Sequence, residues 1–289
     1  MPTAVLRPPG HHRLGPAGPE TPIVLSVPHS GRFYPEALIA ASRVDRHVLE
    51  ALEDRYVDAL IGPAVADGAV ALVATHARAW IDLNRDEREV DPAMVSPRPR
   101  GDGLIGSAKL RGGLGLVPRR IACGGELWRQ PIAATDLAQR IATVHRPYHA
   151  ALADALEQAR RRHGYAVLID CHSMPPLPGN GAQVVIGDRF GRSASPAVAD
   201  AAVAEARAAC MRVTRNEPYA GAHILDRHGS PARRVHAVQV EIDRALYLAP
   251  DLRSHGVGIE AAAALLRSVA RACAAAASPH GNRVLMAAE

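Results

Sequence analysis

The stretch Tyr165-Ala-Val-Leu-Ile-Asp170-Cys171-His172-Ser173 decides how this chain of 289 residues folds. Its first five residues form an apolar run of the kind found in strands that are buried on both faces of a sheet. A second stretch has the same design, because an apolar run ending at Val27 is followed by Pro28 and His29. Both stretches therefore predict a buried strand with a histidine just beyond its carboxyl end.

Further apolar runs alternate with helical patterns along the rest of the chain. The sequence predicts strands at 23–27, 69–74, 165–169, 183–186 and 235–242, and helices at 44–61, 132–162, 196–210 and 259–276. This alternation is typical of the α/β class. We expect a three-layer α/β/α sandwich around a mixed, largely parallel sheet, with ligand groups at the carboxyl ends of the strands.

The domain organisation is predicted from changes in composition. Residues 1–22 are rich in proline and read as a flexible N-terminal arm, and residues 23–289 as a single domain. The segment 86–125 is rich in Pro, Gly and Arg, with weak periodicity. Because long loops in compact domains are often functional, we expect an excursion over the active-site face that can carry a lid.

Composition excludes several classes of protein. The sequence has no apolar stretch of about 18 residues and no signal-peptide pattern, so we expect a cytoplasmic protein without membrane contact.

The net charge is +5, but 34 basic residues are mixed with 29 acidic ones and aromatic residues make up 3% of the chain. Few aromatics disfavour a nucleic-acid partner, and the charge fits a small anionic substrate as well. Four scattered cysteines form no C-x-x-C pair, which argues against a zinc knuckle.

The two histidines at strand ends predict a metal site. Strand ends of an open α/β sheet face one crevice, and a catalytic zinc needs two or three imidazole or carboxylate ligands with one position left open. His29 and His172 fit this description, and Asp170 could orient an imidazole. His76 also follows a predicted strand, so placement alone leaves it open as a ligand. The alternative is that each histidine only lines a loop.

A carboxylate ligand is also expected, and the predicted helix 44–61 carries Glu53, Asp54 and Asp58. Asp54 lies off the apolar stripe of that helix, so helix geometry leaves it equally well described as a ligand or as a solvated acid.

Two other positions indicate binding or catalysis. Arg85 can hold a carboxylate with two parallel hydrogen bonds, although a surface pair with Asp82 is the simpler interpretation. Glu241 lies inside the apolar predicted strand 235–242, where an unpaired carboxylate is costly. A partly buried glutamate with a raised pKa can act as general acid and base, whereas the alternative role is a buried ion pair with Arg244.

Taken together, these residues resemble the N-formylglutamate amidohydrolase (N-formylglutamate deformylase) family over about residues 22–270. The resemblance rests on the order of nine short motifs: Val-Pro-His29-Ser-Gly, Glu-Asp54-Arg-Tyr-Val-Asp58, Ile-Asp82-Leu-Asn84-Arg85, Gly-Leu-Gly-Leu-Val-Pro118-Arg119, Asp170-Cys-His172-Ser, Gly187-Asp188 with Gly191, Pro218-Tyr219-Ala-Gly221, Arg227-His228-Gly229 and Gln239-Val-Glu241-Ile.

This resemblance implies a zinc carboxypeptidase-like fold with a defined site. It makes His29, Asp54 and His172 the metal ligands, passing over His76, and Glu241 the catalytic acid and base. The implied metal is Zn²⁺, although another divalent transition metal suits the same ligands. The implied reaction is hydrolysis of N-formyl-L-glutamate to formate and L-glutamate in histidine degradation, with Asn84, Arg85, Arg227 and Arg244 binding the substrate.

The segment 218–229 departs from the polar pattern that is usual in the family, which leaves the specificity open. One alternative is an amidohydrolase of another small N-acyl amino acid, and a second is a metal-containing binding protein without turnover. The sequence leaves a monomer and a small homo-oligomer equally open.

Overall fold

A computed structural model describes residues 8–99, 103–121, 125–179 and 181–279. Its strands are β1 His11–Leu14, β2 Ile23–Val27, β3 Val70–Ala74, β4 Val95–Ser96, β5 Arg120–Ile121, β6 Gly125–Glu126, β7 Ile132–Ala133, β8 Ala166–Met174, β9 Val184–Gly187, β10 Val213–Arg215 and β11 Val235–Asp243. Its α-helices are α1 Glu36–Ala41, α2 Arg46–Leu49, α3 Val57–Leu60, α4 Gly62–Ala66, α5 Ala108–Arg111, α6 Ala134–Arg140, α7 Arg146–His163, α8 Pro196–Ala208, α9 His223–His228 and α10 Ile259–Ala277.

A seven-stranded sheet has the order β1-β3-β2-β8-β11-β9-β10. Strand β8 lies beside β2 and β11 and runs parallel to both, and β9 runs parallel to β10. The pairing of β11 with β9 is antiparallel. All residues of β2, β8 and β11 are buried, as expected for parallel strands covered on both faces. The predicted α/β fold with a mixed, largely parallel sheet is confirmed.

Several elements lie where the sequence predicts them. The five predicted strands correspond to β2, β3, β8, β9 and β11, and two predicted helices correspond to α8 and α10. Helix α10 packs its buried Leu265, Leu266 and Val269 in the core and contacts β2, β8 and β11. The predicted long helix 132–162 is α6 and α7, joined by a π-helical turn at Ile141–His145 that ends just before Pro147.

The predicted helix 44–61 is wrong. The chain forms α2, a 3₁₀ turn at Glu50–Leu52 and α3, separated by a non-helical connection. Glu53 has an extended backbone, and Tyr56 adopts a left-handed conformation with φ of 58°. A left-handed residue that is not glycine interrupts a helix, so the four-residue apolar spacing did not reflect one continuous element. Asp54 lies in this interruption.

The predicted N-terminal arm is part of the fold from residue 8 on. Strand β1 occupies an edge of the sheet, and Gly10 accepts a backbone hydrogen bond from Thr75. The boundary at residue 22 is therefore corrected, while residues 1–7 lie outside the described part of the chain. The segment 86–125, expected as a lid excursion, contains the short elements β4, α5, β5 and β6. Its residues Val90, Leu116 and Val117 are buried. Residues 100–102 and 122–124 of this segment lie outside the described part of the chain.

The chain divides into two compact units by its internal contacts. Of the described residues, the first unit comprises 8–12, His29–Glu53 and Val73–Ala150, and the second comprises Arg13–Pro28, Asp54–Leu72 and those from Ala151 on. The single domain expected for residues 23–289 stays a prediction. Among the described residues, no helix combines the length and apolar character needed to cross a membrane.

Candidate active site

One face of the central strands in the second unit carries a patch of polar side chains. Ser26 on β2 and Gln239 on β11 both pair in register with Asp170 on β8, and Glu241 pairs with His172. Register partners in parallel strands point to the same face, and successive residues of a strand alternate between faces. These five side chains, which we call the polar patch, therefore lie together on one face of the sheet.

His172 is the central side chain of the polar patch. It lies inside β8 rather than beyond it, since the strand continues to Met174. Its Nε2 lies 2.9 Å from Asp170 Oδ2, and its Nδ1 lies 2.9 Å from Asp54 Oδ2. Burial lowers the pKa of His172, but the two carboxylates outweigh burial and hold that pKa well above its usual value.

Asp54 is held by the segment that follows β11. Arg244 donates from Nη2 to Asp54 Oδ1 at 3.0 Å and from Nε to Ser173 Oγ at 3.1 Å. The hydroxyl of Tyr247 donates to the backbone oxygen of Arg55 at 2.7 Å, which fixes the neighbouring residue of the same connection. Asp54 is buried, and the break in the predicted helix is what turns its carboxylate towards His172 and Arg244.

Glu241 is buried within β11, where the sequence places it. Its Oε1 accepts a hydrogen bond of 3.1 Å from the amide of Gln239. Its negative charge is one of the influences that raise the pKa of His172. The polar patch therefore holds a second carboxylate besides Asp170, next to the predicted ligand His172.

The first unit contains a cluster of polar side chains around His29. Only Pro28 separates His29 from the end of β2, and the Nε2 of His29 lies 2.7 Å from Asp82 Oδ1. Asp82 also accepts hydrogen bonds from Arg78 Nε at 2.9 Å and from the backbone amide of Asn84 at 2.8 Å. Burial raises the pKa of Asp82, but Arg78, His29 and Arg85 outweigh burial and hold that pKa well below its usual value. Asp82 is thus a buried anion with several donors, and its pair with Arg85, whose Nε lies 3.9 Å from Asp82 Oδ2, is present but buried rather than at the surface.

The turn after His29 fits tightly against the segment that follows β3. A Cβ at Gly31 would lie 2.0 Å from the backbone oxygen of His76, so only glycine fits there. Phe33 pairs with His76 in an isolated bridge, and its amide donates to the oxygen of Thr75 at 2.9 Å. The His76 ring lies edge-on to the Phe33 ring, with Nδ1 3.0 Å from Thr75 Oγ1, which is a packing role for a histidine that the sequence left open as a ligand.

Asn84 and Arg85, the predicted substrate-binding residues of the first unit, are buried. Arg85 donates from Nε to Leu114 O at 2.9 Å and from Nη1 to Asn84 O at 2.7 Å, so its guanidinium is tied to the backbone. Two histidines support the same segment. His145 Nε2 lies 2.8 Å from Arg85 O, and His149 Nε2 lies 2.9 Å from the oxygen of Leu83.

The remaining predicted positions fall in other surroundings. Arg227 is exposed on α9, whereas Arg244 is half-buried beside Asp54. Glu53, one of the alternative carboxylates, accepts a hydrogen bond from the hydroxyl of Tyr34. The structure thus joins Asp54, His172 and Arg244 directly in the second unit and His29 with Asp82 in the first.

Several residues of these clusters were missed by reasoning from the sequence. Ser26, Ser173 and Gln239 of the second unit were not singled out, and Arg78 of the first unit was not either. A signal existed for Gln239, since Val238 to Asp243 alternates strictly between apolar and polar residues and so predicts a polar face. No comparable pattern marks Arg78.

The family can be assigned by comparison with known proteins. The family model described as N-formylglutamate amidohydrolase matches residues 21–248, which is well over half of the chain. The chain belongs to the N-formylglutamate amidohydrolase family. A relative named N-formylglutamate deformylase from Pseudomonas aeruginosa is 30% identical over 239 residues, covering 78% of this chain and 82% of the relative. A protein of the same name from Pseudomonas putida is 27% identical over the same shares.

Solved structures include a further member of the N-formylglutamate amidohydrolase family. The crystal structure of N-formylglutamate amidohydrolase from Ralstonia eutropha JMP134 superposes with a TM-score of 0.83 at 32% identity, covering 96% of this chain and 99% of that one. A gene product of Agrobacterium tumefaciens has a TM-score of 0.67 at 17% identity, with coverage of 92% and 95%, and shares the fold. The resemblance found in the sequence motifs is therefore confirmed at the level of the family.

Proposed function

We propose that this protein hydrolyses N-formyl-L-glutamate to formate and L-glutamate with the help of a bound divalent metal. The proposal is supported by membership of the family and by two relatives that carry the name N-formylglutamate deformylase. The observation that carries it is the polar patch, because it places the buried carboxylate of Glu241 in register with the imidazole of His172 on the adjacent strand. A general base beside a ligand is what amide hydrolysis by a metal enzyme requires.

We propose His29, Asp54 and His172 as the metal ligands. All three are buried and of the kinds that bind zinc, and two imidazoles with one carboxylate are a common catalytic set. The parallel pairing of β2 with β8 supports the choice, because it places the carboxyl ends of both strands at the same end of the sheet. His29 follows the carboxyl end of β2. Within the second unit, His172 Nδ1 lies 2.9 Å from Asp54 Oδ2, so two of the proposed ligand atoms face each other.

A bound Zn²⁺ would supply a Lewis acid that polarises the formyl carbonyl and makes water more acidic. Glu241 accepts the proton of the attacking water and returns it to the nitrogen of the leaving glutamate. Gln239 keeps the Glu241 carboxylate in place through their hydrogen bond.

The substrate is a dianion, and cationic side chains are proposed to anchor it. Arg244 is half-buried next to Asp54, which places a guanidinium at the edge of the polar patch. Asn84, Arg85 and Arg227 stay predictions as substrate-binding residues. The firmly held backbone around Arg85 favours a positioning role for that segment, because substrate orientation depends on rigid support.

The experiment that tests this function measures formate released from N-formylglutamate by the purified protein. N-formylaspartate tests the side chain of the substrate, and acetate release from N-acetylglutamate tests the acyl group. Each assay is repeated after chelation and after return of zinc. Turnover of N-formylglutamate that chelation abolishes and zinc restores is the expected result. Metal-independent turnover would refute the role of the metal, and no turnover of N-formylglutamate would refute the substrate.

Preference for N-formylaspartate or N-acetylglutamate would favour the alternative amidohydrolase of another small N-acyl amino acid. Zinc binding without hydrolysis of any of the three would favour the non-catalytic binding protein. Placement in histidine degradation, cytoplasmic location, the absence of nucleic-acid partners and the oligomeric state stay predictions.

A further inference from the structure

We propose that an apolar cluster beside Glu241 is the subsite for the acyl substituent of the substrate, and that Tyr219 limits the size of this substituent. The apolar cluster consists of buried Met174, Ala182 and Val185, with Leu177 and Tyr219 packed against them. All of these residues belong to the second unit. The inference rests on the proposed function and deepens it, because it names the class of acyl group that the same site accepts.

The pairing of the strands places the apolar cluster next to Glu241. Val185 on β9 is the antiparallel partner of Glu241, which is in turn the parallel partner of His172 on β8. Directly opposed side chains of antiparallel strands share a face, with Cβ atoms about 4.5–5.5 Å apart. Met174 follows His172 by two positions on β8, so it points to the same face as well. The apolar cluster therefore lies on the face of the polar patch and borders Glu241.

Tyr219 and Leu177 form the outer part of the apolar cluster. Met174 and Val185 are fully buried, whereas Tyr219 and Leu177 are only half-buried and pack on them. The two half-buried side chains are thus the members of the cluster that an arriving molecule can contact. Tyr219 is the larger of the two, so its ring sets how much space an acyl group finds there.

The backbone on both sides of Tyr219 is held by the turn that follows β9. The oxygen of Ala220 accepts a hydrogen bond of 2.8 Å from the amide of Arg189. A Cβ at Gly187 would lie 2.7 Å from the carbonyl carbon of Ala220, so this close approach requires glycine. Before Tyr219, Asn216 Oδ1 accepts from the amide of Asp188 at 3.0 Å. The ring of Tyr219 is therefore carried by a segment with little freedom to move aside.

The chemistry of an N-acyl amino acid identifies the part that fits an apolar subsite. The carbonyl carbon carries an oxygen, the nitrogen of the amino acid and a third substituent, which is hydrogen in a formyl group and methyl in an acetyl group. The oxygen and the carboxylates of the amino acid need polar partners, because burial among apolar side chains is costly for them. Glu241 must lie near the attacked carbon to accept the proton of water. Its neighbour Val185 then lies near the third substituent, which is the apolar one.

Relative rates with two acyl groups test the subsite. We measure kcat/KM for N-formylglutamate and N-acetylglutamate by release of formate and acetate, and expect the wild type to prefer N-formylglutamate. Because one methylene in an apolar pocket is worth about 10–200-fold, Tyr219→Ala should raise the acetyl-to-formyl ratio of kcat/KM by about 10-fold or more. Tyr219→Phe should keep the wild-type ratio, since it keeps the ring.

Tyr165→Ala is the matched control. Tyr165 is also a half-buried tyrosine, but it comes just before the amino end of β8, whereas Met174 forms the carboxyl end of that strand. Its truncation should leave the acetyl-to-formyl ratio as in the wild type. An equal rise of the ratio in Tyr165→Ala would overturn the inference, because the effect would then not belong to the apolar cluster.

An acetyl-to-formyl ratio unchanged in Tyr219→Ala would overturn the inference, while hydrolysis of N-formylglutamate by the wild type would leave the proposed function standing. A variant that changes only the preference between N-formylglutamate and N-formylaspartate would also overturn it, because the cluster would then contact the side chain of the amino acid. A wild type that hydrolyses none of the three would overturn both. Circular dichroism establishes folding, and Leu177→Ala, with the same expected rise of the ratio, replaces Tyr219→Ala if the latter does not fold.

Discussion

Replacement of Gly31 by alanine should displace the turn that carries His29. The added Cβ would lie 2.0 Å from the oxygen of His76 and 2.6 Å from its carbonyl carbon. Ordinary contact begins at 3.4 Å, so the two backbones must separate by about 1.4 Å. Neither backbone can retreat freely, because Phe33 donates to Thr75 O at 2.9 Å and Ala77 donates to Phe33 O at 3.0 Å.

We expect Gly31→Ala to lower the free energy of unfolding by about 1–3 kcal/mol, the usual cost of overpacking. Because a misplacement of about 1 Å can cost about 100-fold in rate, kcat/KM for formate release should fall by about that factor. Urea denaturation and the formate assay measure the two effects. The control is Gly18→Ala, since a Cβ at Gly18 meets nothing within 4 Å. A Gly31→Ala protein as stable and as active as Gly18→Ala would refute this reasoning.

Three further predictions concern catalysis, acid stability and the metal. Glu241→Gln should lower kcat by about 10²–10⁴-fold with unchanged zinc content by mass spectrometry, because it removes only the proton acceptor; normal turnover would contradict the mechanism. Asp188→Asn should cost about 1.5–3 kcal/mol at pH 7 in urea denaturation, through loss of charge-assisted bonds to Arg215 and Asn216. Burial raises the pKa of Asp188, but Arg215 and Asn216 outweigh burial, so that the pKa is lowered in the folded protein. The stability that Asp188 contributes is therefore present above about pH 4 and is lost as the pH falls through the folded pKa. The difference in free energy of unfolding between Asp188→Asn and the wild type should therefore shrink in acid, and a difference that stays constant with pH would contradict this prediction. Chelation should lower the melting temperature, since zinc at about 1,000 times its Kd stabilises by about 4 kcal/mol, and a melting curve indifferent to chelator would argue against a bound metal.

The central strands could be predicted from the sequence because each is a continuous apolar run with a clear end. The same reasoning failed for 44–61, where apolar residues recur every four positions although the chain turns at Tyr56. Tertiary contacts override the local pattern there, since Tyr247 and Arg244 hold the connection from a distant part of the chain. Strand β1 was missed because three of its four residues, His11, His12 and Arg13, are polar or charged, and a short strand at a sheet edge carries no apolar run.

Residues of the candidate site could be predicted where the local sequence marks them, but not where their partners lie far away in the sequence. The buried position of Glu241 in β11 was predictable because an acid inside an apolar strand is costly, and that cost is visible in the sequence. The proposal of Asp54 as a ligand comes only from the resemblance, because the surroundings of Asp54 depend on where Arg244 lies after folding. The partners of Asp82 were hidden for the same reason: His29 precedes it by 53 positions, so no local spacing relates the two.

The order in which the chain is synthesised has a consequence for the polar patch. Ser26 and Asp170, which are hydrogen-bonded, lie 144 positions apart, and Asp54 lies 190 positions before Arg244. Contacts between residues so far apart in sequence form slowly, because the entropy cost of closing a large loop precedes the stabilisation that the contact provides. Asp54 therefore leaves the ribosome long before its guanidinium partner has been translated. The pair of Asp54 with Arg244 can therefore form only after β11 has been made, which places its assembly late in folding.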